Sequence, residues 1–154
     1  MTEALLAVGG LSRSFGGLKA VQDVSLSVKE GSLSALIGPN GAGKTTLFAL
    51  MSGFLKPDSG SVRFAGQDIT GREPHRNALL GMTRTFQIVK PFAAQTVREN
   101  IAVGAHLHLR GRREALAHAE AVALRVGLAP QLDKAASDLT VAGRKRLELA
   151  RALA

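Results

Sequence analysis

The chain is organised around nine residues, Gly38-Pro39-Asn40-Gly41-Ala42-Gly43-Lys44-Thr45-Thr46, which fit the pattern G-x-x-x-x-G-K-[ST]. The five residues before them, 33–37, are uncharged and mostly apolar, as is typical of a strand buried on both faces. After them, an apolar stripe at helical spacing predicts a helix over residues 44–52; its members are Leu47, Leu50, Met51 and Phe54. The pattern therefore predicts a loop that joins a buried strand to the N-terminus of a helix.

The composition of this loop suits the binding of an anion that carries several phosphates. Its glycines allow consecutive backbone N–H groups to point inward, and the helix that starts near Gly43 adds a partial positive charge. Lys44 is expected to reach the β- and γ-phosphates, and the Thr45 hydroxyl to complete the shell of a Mg²⁺ ion with phosphate oxygens and water. We therefore predict a nucleoside triphosphate site at residues 38–46. The alternative is a glycine-rich turn that precedes a helix by chance.

The residues on both sides of the loop predict strands first and helices later. Thr96 and Glu99 have the spacing of a capping box, which marks the start of a helix at about Val97. A second helix, over residues 115–126, is expected to end at the glycine that follows it, and a last helix is expected over 144–154. The predicted apolar face of the second helix consists of Leu116, Ala119, Val122, Ala123 and Val126. The other predicted elements are strands at 5–8, 24–28, 61–64 and 81–86 and a short helix at 73–80.

The composition excludes several classes of protein. The 154 residues are 45% hydrophobic, which supplies enough apolar material for a core. Because the chain has no cysteine, it has no disulfide, thiolate nucleophile or cysteine-bound zinc. No uncharged apolar stretch reaches the length of a membrane-spanning helix, and the first residues lack the basic start of a secretory signal, so a cytosolic location is expected.

The net charge of +8 has two explanations. The basic residues are scattered and aromatic residues make up only 4% of the chain, which disfavours a nucleic-acid-binding surface. An excess of solvated Arg and Lys is the favoured explanation. Contact with the phosphates of a nucleotide or of a lipid surface is the alternative.

Three stretches of the chain form a recognisable set. They are the loop 38–46, the triplet Thr85-Phe86-Gln87 and the run 139–153, Leu-Thr-Val-Ala-Gly-Arg-Lys-Arg-Leu-Glu-Leu-Ala-Arg-Ala-Leu. In these stretches the chain resembles the nucleotide-binding subunit of an ABC transporter. Residues 15–21 and 87–92 are similar to the corresponding residues of the ATP-binding subunits of branched-chain amino acid importers. The subunits of the related urea importers are the next most similar. The resemblance implies an α/β fold, with a P-loop NTPase core of the ABC ATPase type, an antiparallel β subdomain and an inserted helical subdomain. It divides the chain into a nucleotide-binding part at 1–87, a helical subdomain at 88–138 and a signature segment with its helix at 139–154.

The resemblance also implies roles for residues outside the loop. Phe15 would stack on the adenine of ATP, with Val21 beside the ring. Gln87 would act in catalysis together with Lys44, by touching Mg²⁺ and the attacking water. Thr140 would bond the γ-phosphate of an ATP held by a partner subunit. From the residues alone, Phe15 is equally a core aromatic, Gln87 a polar residue at a strand end, and Thr140 an ordinary N-cap of a helix.

Part of the family's machinery is not found in the sequence. Val141 and Ala142 occupy positions where the family usually has glycines. No buried strand ending in an aspartate, with a catalytic glutamate after it and a switch histidine further on, follows residue 139. Glu148 is expected to pair with Arg144 or Arg151 on one face of the last helix instead. The chain is therefore expected to be C-terminally incomplete, before the Walker B strand, and to hydrolyse ATP slowly or not at all.

The resemblance implies a set of partners and a location. In the intact family, two ATP-binding subunits form a sandwich dimer around two ATP molecules, so a second copy or a paralogue is expected. Membrane permease subunits, and indirectly a periplasmic or extracellular solute-binding protein, are expected as well, with the chain peripheral on the cytoplasmic face of the plasma membrane. No nucleic acid is expected. The alternatives are a nucleotide-binding remnant without turnover, a soluble ABC ATPase that acts on nucleic acid, and a phosphate-loop kinase of small metabolites.

Overall fold

Residues 4–154 are described by the computed structural model of the protein, and they divide into two units between Met82 and Thr83. The first unit contains an antiparallel sheet and the helix that follows the glycine-rich loop, and the second unit is helical. Each unit has an apolar core of its own. The expected combination of an antiparallel β part with a helical part is therefore confirmed.

The sheet of the first unit has four strands, and every neighbouring pair is antiparallel. The strands are β1 (Ala4–Phe15), β2 (Leu18–Lys29), β3 (Ser59–Phe64) and β4 (Gln67–Asp68), in the spatial order β2-β1-β3-β4. In β1, Val8 and Leu11 are both buried although they are three residues apart, because the pairing with β2 shifts register between them. The strands predicted at 5–8, 24–28 and 61–64 are present, and β1 and β2 are longer than predicted.

Helix α1 (Lys44–Met51) packs most of its predicted apolar stripe into the core of the first unit. Phe54, the fourth predicted member, lies beyond the end of α1 and is exposed, so the prediction is wrong for this residue. Leu47, Leu50 and Met51 are buried together with the apolar residues of the sheet. Burial of each such side chain contributes roughly 1.5–3 kcal/mol, which fixes the face of α1 that meets the core. A shorter helix, α2 (Pro74–Ala78), lies within the range predicted for it.

A glycine at the start of α1 allows the helix to begin directly against β2. Gly43 is the N-cap of α1, with φ +82°, and a Cβ atom added to it would lie 2.1 Å from the carbonyl oxygen of Ala20. Real Cβ atoms do not approach an oxygen so closely, so any other residue would displace either the loop or the strand. The spacing of the motif thus has a packing reason as well as a chemical one.

The strands predicted at residues 33–37 and 81–86 are not formed, and these two predictions are wrong. Leu33 and Ile37 are almost fully exposed, and among residues 4–154 no strand pairs with either segment. A strand is stable only when a neighbour satisfies its backbone N–H and C=O groups. The apolar sequence of residues 33–37 indicates a preference for burial, but it carries no information on where the pairing strand is.

The second unit is formed by three helices that enclose one apolar core. They are α3 (Val97–Ala105), α4 (Arg112–Arg125) and α5 (Val141–Leu153). The face predicted for the helix at 115–126 is confirmed, because Ala119, Val122 and Ala123 are buried in this core. No helix in the described part of the chain is long and apolar enough to cross a membrane.

Two of the three α-helices of this unit, α3 and α5, begin with a threonine cap. The capping box predicted at the start of α3 is present, because Thr96 Oγ1 accepts from the Glu99 N–H at 3.1 Å and Glu99 Oε2 accepts from the Thr96 N–H at 3.0 Å. Helix α5 begins at Val141, before the predicted start at residue 144, because the Thr140 hydroxyl caps it. These caps fix where the two helices start independently of the core.

The capping box makes the pKa of Glu99 a readout of local structure. The backbone N–H of Thr96, and then its hydroxyl, donate to the Glu99 carboxylate and hold its pKa below the ordinary value. We expect Thr96→Val to raise this pKa towards that of an unperturbed glutamate, as seen in an NMR titration of the side-chain carboxyl carbon. An unchanged midpoint would contradict the contribution of the hydroxyl.

The sign of the resulting pH dependence follows from the lowered pKa. Because the folded-state pKa of Glu99 lies below that of the unfolded chain, its carboxylate stabilises the fold at neutral pH, and the contribution is lost as the pH falls through the folded-state pKa. The difference in free energy of unfolding between the wild type and Thr96→Val should therefore narrow on acidification from pH 6 to pH 3.

The close approach of Gly43 predicts a difference between two glycines of the same loop. Gly41 and Gly43 both have a positive φ, but a Cβ added to Gly41 would have no atom within 4 Å. In urea unfolding, Gly41→Ala should lower the free energy of unfolding by about 1 kcal/mol, because alanine is disfavoured in the left-handed backbone conformation. Gly43→Ala should lower it by about 3 kcal/mol, because the clash of the new Cβ with the Ala20 carbonyl adds to the same backbone cost. Equal losses in the two variants would show that the contact with Ala20 is unimportant.

Candidate functional site

The loop at residues 38–46 presents the N-terminus of α1 without a cap. Gly43 has no side chain to accept a hydrogen bond, and the first turn of α1 contains no acidic residue. Helices α3 and α5, in contrast, each begin with a threonine that accepts a backbone N–H. Helix α4 also starts at a glycine without a side-chain cap, but its first turn contains Glu114. The N–H groups in the first turn of α1 therefore lack a side-chain acceptor, and together with the helix dipole they favour an anion.

The ammonium group of Lys44 lies across this loop. Its Nζ donates to the carbonyl oxygens of Gly38 at 2.7 Å and Pro39 at 2.6 Å. Inside the loop, the N–H of Ala42 donates to the same Pro39 carbonyl at 3.3 Å. The side chain is thus held at the loop by neutral acceptors. A phosphate oxygen would be a stronger partner for it, since a hydrogen bond between two charged groups is about twice as strong as one with a neutral partner.

The hydroxyl-bearing residues after the lysine differ in their exposure. Thr45 is exposed, whereas Thr46 is half-buried in the first turn of α1. A hydroxyl oxygen is the kind of ligand that Mg²⁺ accepts, usually together with phosphate oxygens and water. No group of three or more His, Cys, Asp and Glu side chains within residues 4–154 is arranged to hold a metal. The residues present therefore fit a magnesium ion that takes most of its ligands from a bound phosphate and water.

Two of the predicted binding residues, Phe15 and Val21, lie on the hairpin beside the loop. Val21 is buried in the core of the first unit, and its Cγ2 lies 3.5 Å from the position that a Cβ of Gly43 would occupy. Phe15 ends β1, where it pairs with Leu18, and 42% of its surface is exposed. Its ring is therefore outside the apolar core, and it is available to a ligand.

An ion pair next to Phe15 is absent from the sequence-based predictions. Arg13 Nη1 lies 2.7 Å from Asp58 Oδ1, and the Ser14 N–H donates to Asp58 Oδ2 at 2.7 Å. The guanidinium carbon of Arg13 lies 5.1 Å from the centre of the Phe15 ring, over its face. An arginine two residues before an aromatic in one strand is a weak signal for this contact, but nothing in the sequence points to Asp58 as the partner.

The other predicted catalytic residue, Gln87, belongs to the second unit. It is exposed and lies in a bend rather than at the end of a strand. The N–H of the preceding Phe86 donates to Glu148 Oε1 of α5 at 2.5 Å. A second residue of α5 also binds this segment, since Arg151 donates to the Lys90 carbonyl at 3.3 Å.

The predicted pairing of Glu148 with Arg144 or Arg151 is wrong. Glu148 accepts from the Phe86 backbone, and Arg144 donates to the carbonyl oxygens of Leu139 and Ser137. Within residues 4–154, no ion pair joins Glu148 to either arginine. The spacing of the three residues permits such a pair on an isolated helix, but backbone groups from outside the helix provide the partners instead.

Thr140 is the N-cap of α5, as one of its two sequence-based interpretations requires. Its Oγ1 accepts from the Gly143 N–H at 3.1 Å. The hydroxyl proton is not used in this bond, so the same side chain can still donate to an anion. Val141, which follows it, is exposed.

Comparison with known proteins places this geometry in a family. Residues 21–154 match the family model described as ABC transporter. The high-affinity branched-chain amino acid transport ATP-binding protein LivG of Salmonella typhimurium is 39% identical over 168 aligned residues, which cover 99% of this chain and 66% of LivG. The corresponding protein BraF of Pseudomonas aeruginosa is 38% identical with the same coverage.

A solved structure agrees with this assignment. The ADP conformation of MJ1267, an ATP-binding cassette of an ABC transporter, superposes with a TM-score of 0.86 and 33% identity, over 99% of this chain and 65% of that one. The chain spans 66% of the length of LivG and BraF. Since the family model covers most of the sequence and the cassette shares its fold, the chain belongs to the ABC transporter family and has the ABC ATPase fold.

Proposed function

We propose that this chain binds Mg-ATP at residues 38–46 and provides ATP-binding machinery for an importer of branched-chain amino acids. The observation that carries the proposal is the uncapped N-terminus of α1, with the Lys44 ammonium held across the loop in front of it. The names of LivG and BraF, which are similar over nearly the whole chain, support branched-chain amino acids as the transported class.

The loop residues bind the triphosphate by electrostatics and shape. The backbone N–H groups of the loop and of the first turn of α1 donate to phosphate oxygens. Lys44 exchanges its two carbonyl acceptors for oxygens of the β- and γ-phosphates, so its charge is moved by only a short distance. Thr45 supplies the hydroxyl ligand for Mg²⁺, which offsets phosphate charge when it is bound.

The hairpin beside the loop provides the contacts of the nucleoside. The exposed ring of Phe15 stacks on the adenine, with Val21 beside the ring. Because Val21 also belongs to the core of the first unit, its position is fixed before any ligand binds. The nucleoside side of the site is therefore rigid where it adjoins the phosphates.

The residues of the second unit are proposed for steps that need a complete assembly. In that assembly Gln87 would serve as a polar ligand of Mg²⁺ and orient the attacking water. Thr140 would donate to the γ-phosphate of an ATP bound by a second ATP-binding subunit, a copy of this chain or a paralogue. The proposed complex includes membrane permeases, with a solute-binding protein on the other side of the membrane, and it places the chain at the cytoplasmic face. Thr140 suits this role because its capping bond leaves the hydroxyl proton available.

Removal of the lysine ammonium tests the proposed function. Lys44→Ala should weaken the binding of Mg-ATP, measured by isothermal titration calorimetry, by roughly tenfold to a hundredfold, as expected for hydrogen bonds between charged groups. The fold should be retained, because Lys44 bonds only to exposed loop carbonyls. Circular dichroism checks this.

Lys56→Ala is the matched control. Lys56 is an exposed lysine of the same unit outside the loop, so its removal changes the net charge by the same amount. The affinity of Lys56→Ala for Mg-ATP should equal that of the wild type. If Lys44→Ala also bound Mg-ATP like the wild type, the phosphates would have to bind elsewhere and the proposal would fail.

A further inference from the structure

The ring of Phe15 is fixed by a pair of charged residues that are distant in sequence. Arg13 and Phe15 are two residues apart in β1, which places both side chains on one face of the strand, and the guanidinium lies over the ring. Asp58, next to the start of β3, holds the guanidinium at 2.7 Å. We call Arg13 and Asp58 together the brace.

The brace is attached to β1 by more than the ion pair. The Ser14 N–H donates to the second carboxylate oxygen of Asp58 at 2.7 Å, and the Asp58 N–H donates to the Ser12 carbonyl at 2.9 Å. Asp58 is thus bound to three consecutive residues of β1. Both carboxylate oxygens accept from β1, so Arg13 has a fixed partner although the Asp58 side chain is 45% exposed.

The guanidinium is held by its two contacts and not by burial in a polar network. The Nε atom of Arg13 is buried and has no hydrogen-bond partner within the described residues. Leaving this donor unsatisfied is costly. The ion pair with Asp58 and the attraction between the cation and the ring must therefore hold the side chain in place against this cost.

The arrangement determines which face of the ring a ligand can use. Arg13 covers one face of Phe15, while 42% of the residue remains exposed. Arg13 is also paired across the hairpin with Val21, which lies against Gly43 of the loop. Val21 thus connects the brace with the phosphate loop. The face of Phe15 that Arg13 does not cover is the surface left for a base.

We propose that Arg13, held by Asp58, is a positioning residue that fixes the Phe15 ring and thereby sets how much the nucleoside contributes to ATP affinity. This inference rests on the proposed function, because it assumes that ATP binds at residues 38–46. It adds two residues, Arg13 and Asp58, which touch neither the phosphates nor the base. It also assigns the base to the ring face opposite the guanidinium.

The experiment compares two ligands that share the phosphates. Calorimetry gives the dissociation constants of Mg-ATP and of Mg-tripolyphosphate, and their ratio measures the contribution of the nucleoside. Phe15→Ala should reduce this ratio about tenfold, since it removes the stacking surface. Arg13→Gln and Asp58→Asn should each reduce it about threefold, since they remove the cation or its partner. The affinity for Mg-tripolyphosphate should stay the same in all three variants.

Two further variants separate positioning from a general loss of structure. Arg63→Gln removes an arginine from β3 of the same sheet, where it donates to the Gly66 carbonyl, and it should leave the ratio unchanged. Arg13→Gln should have no further effect in the Phe15→Ala background, because the brace acts through the ring. The ring signals of Phe15, assigned by their loss in Phe15→Leu, should shift in the NMR spectrum of Arg13→Gln.

Each other outcome contradicts a defined part of the argument. A wild type that binds neither ligand overturns the proposed function, and this inference with it. If Phe15→Ala leaves the affinity ratio of the wild type unchanged, the phosphate site stands but the proposed stacking of the base on Phe15 is wrong. If Phe15→Ala reduces the ratio and Arg13→Gln does not, or if Arg13→Gln weakens both ligands equally, Arg13 is not a positioning residue.

Discussion

The contact between Gly43 and the carbonyl of Ala20 is the constraint on which the site depends. It brings the first residue of the loop–helix junction against β2, at a distance that no side chain at position 43 permits. The core residues Leu47 and Leu50 then fix the direction of α1 from that point. Because the start and the direction of the helix are both determined by packing, its N–H groups are oriented before a ligand arrives. Such preorganisation lowers the cost of ordering the site on binding.

The helices of eight or more residues within residues 4–154 differ in how they begin. The residues before α3 and α5 are threonines whose hydroxyls satisfy a backbone N–H, whereas the residue before α1 is a glycine that satisfies none. Gly111 precedes α4 without a side-chain cap, but the first turn of α4 contains the acidic residue Glu114. A capped start stabilises its helix directly, and an uncapped start leaves donors for a ligand. At Thr140 the two are compatible, because one hydroxyl can accept from Gly143 and still donate.

Backbone groups, and not opposite charges, are the partners of several charged side chains in the second unit. Glu148 accepts from the Phe86 N–H, and Arg151 donates to the Lys90 carbonyl and stacks over the Phe92 ring. These bonds connect α5 with the irregular segment that contains Gln87. A segment without strand partners is thereby given a defined path, which explains how it is ordered although the predicted strand at 81–86 is not formed.

The local features of the chain were available from its sequence. The loop at 38–46, the capping box of Thr96 and Glu99 and the buried face of α4 all depend on residues within a few positions of one another, so spacing alone specifies them. The sequence likewise indicated which residues prefer burial. It did not place them, since residues 33–37 have the composition of a buried strand and are exposed here.

Only the tertiary structure decided the pairings between distant residues. Asp58 meets Arg13 across 45 positions of the chain, and Glu148 meets Phe86 across 62. Spacing along a single helix or strand cannot identify such partners, because they are brought together by the packing of separate elements. A charged side chain takes whichever donor or acceptor the fold places beside it, and for Glu148 this was a backbone N–H rather than the arginines one turn away. The sequence therefore determined the chemistry of the loop, and the fold determined which residues support it.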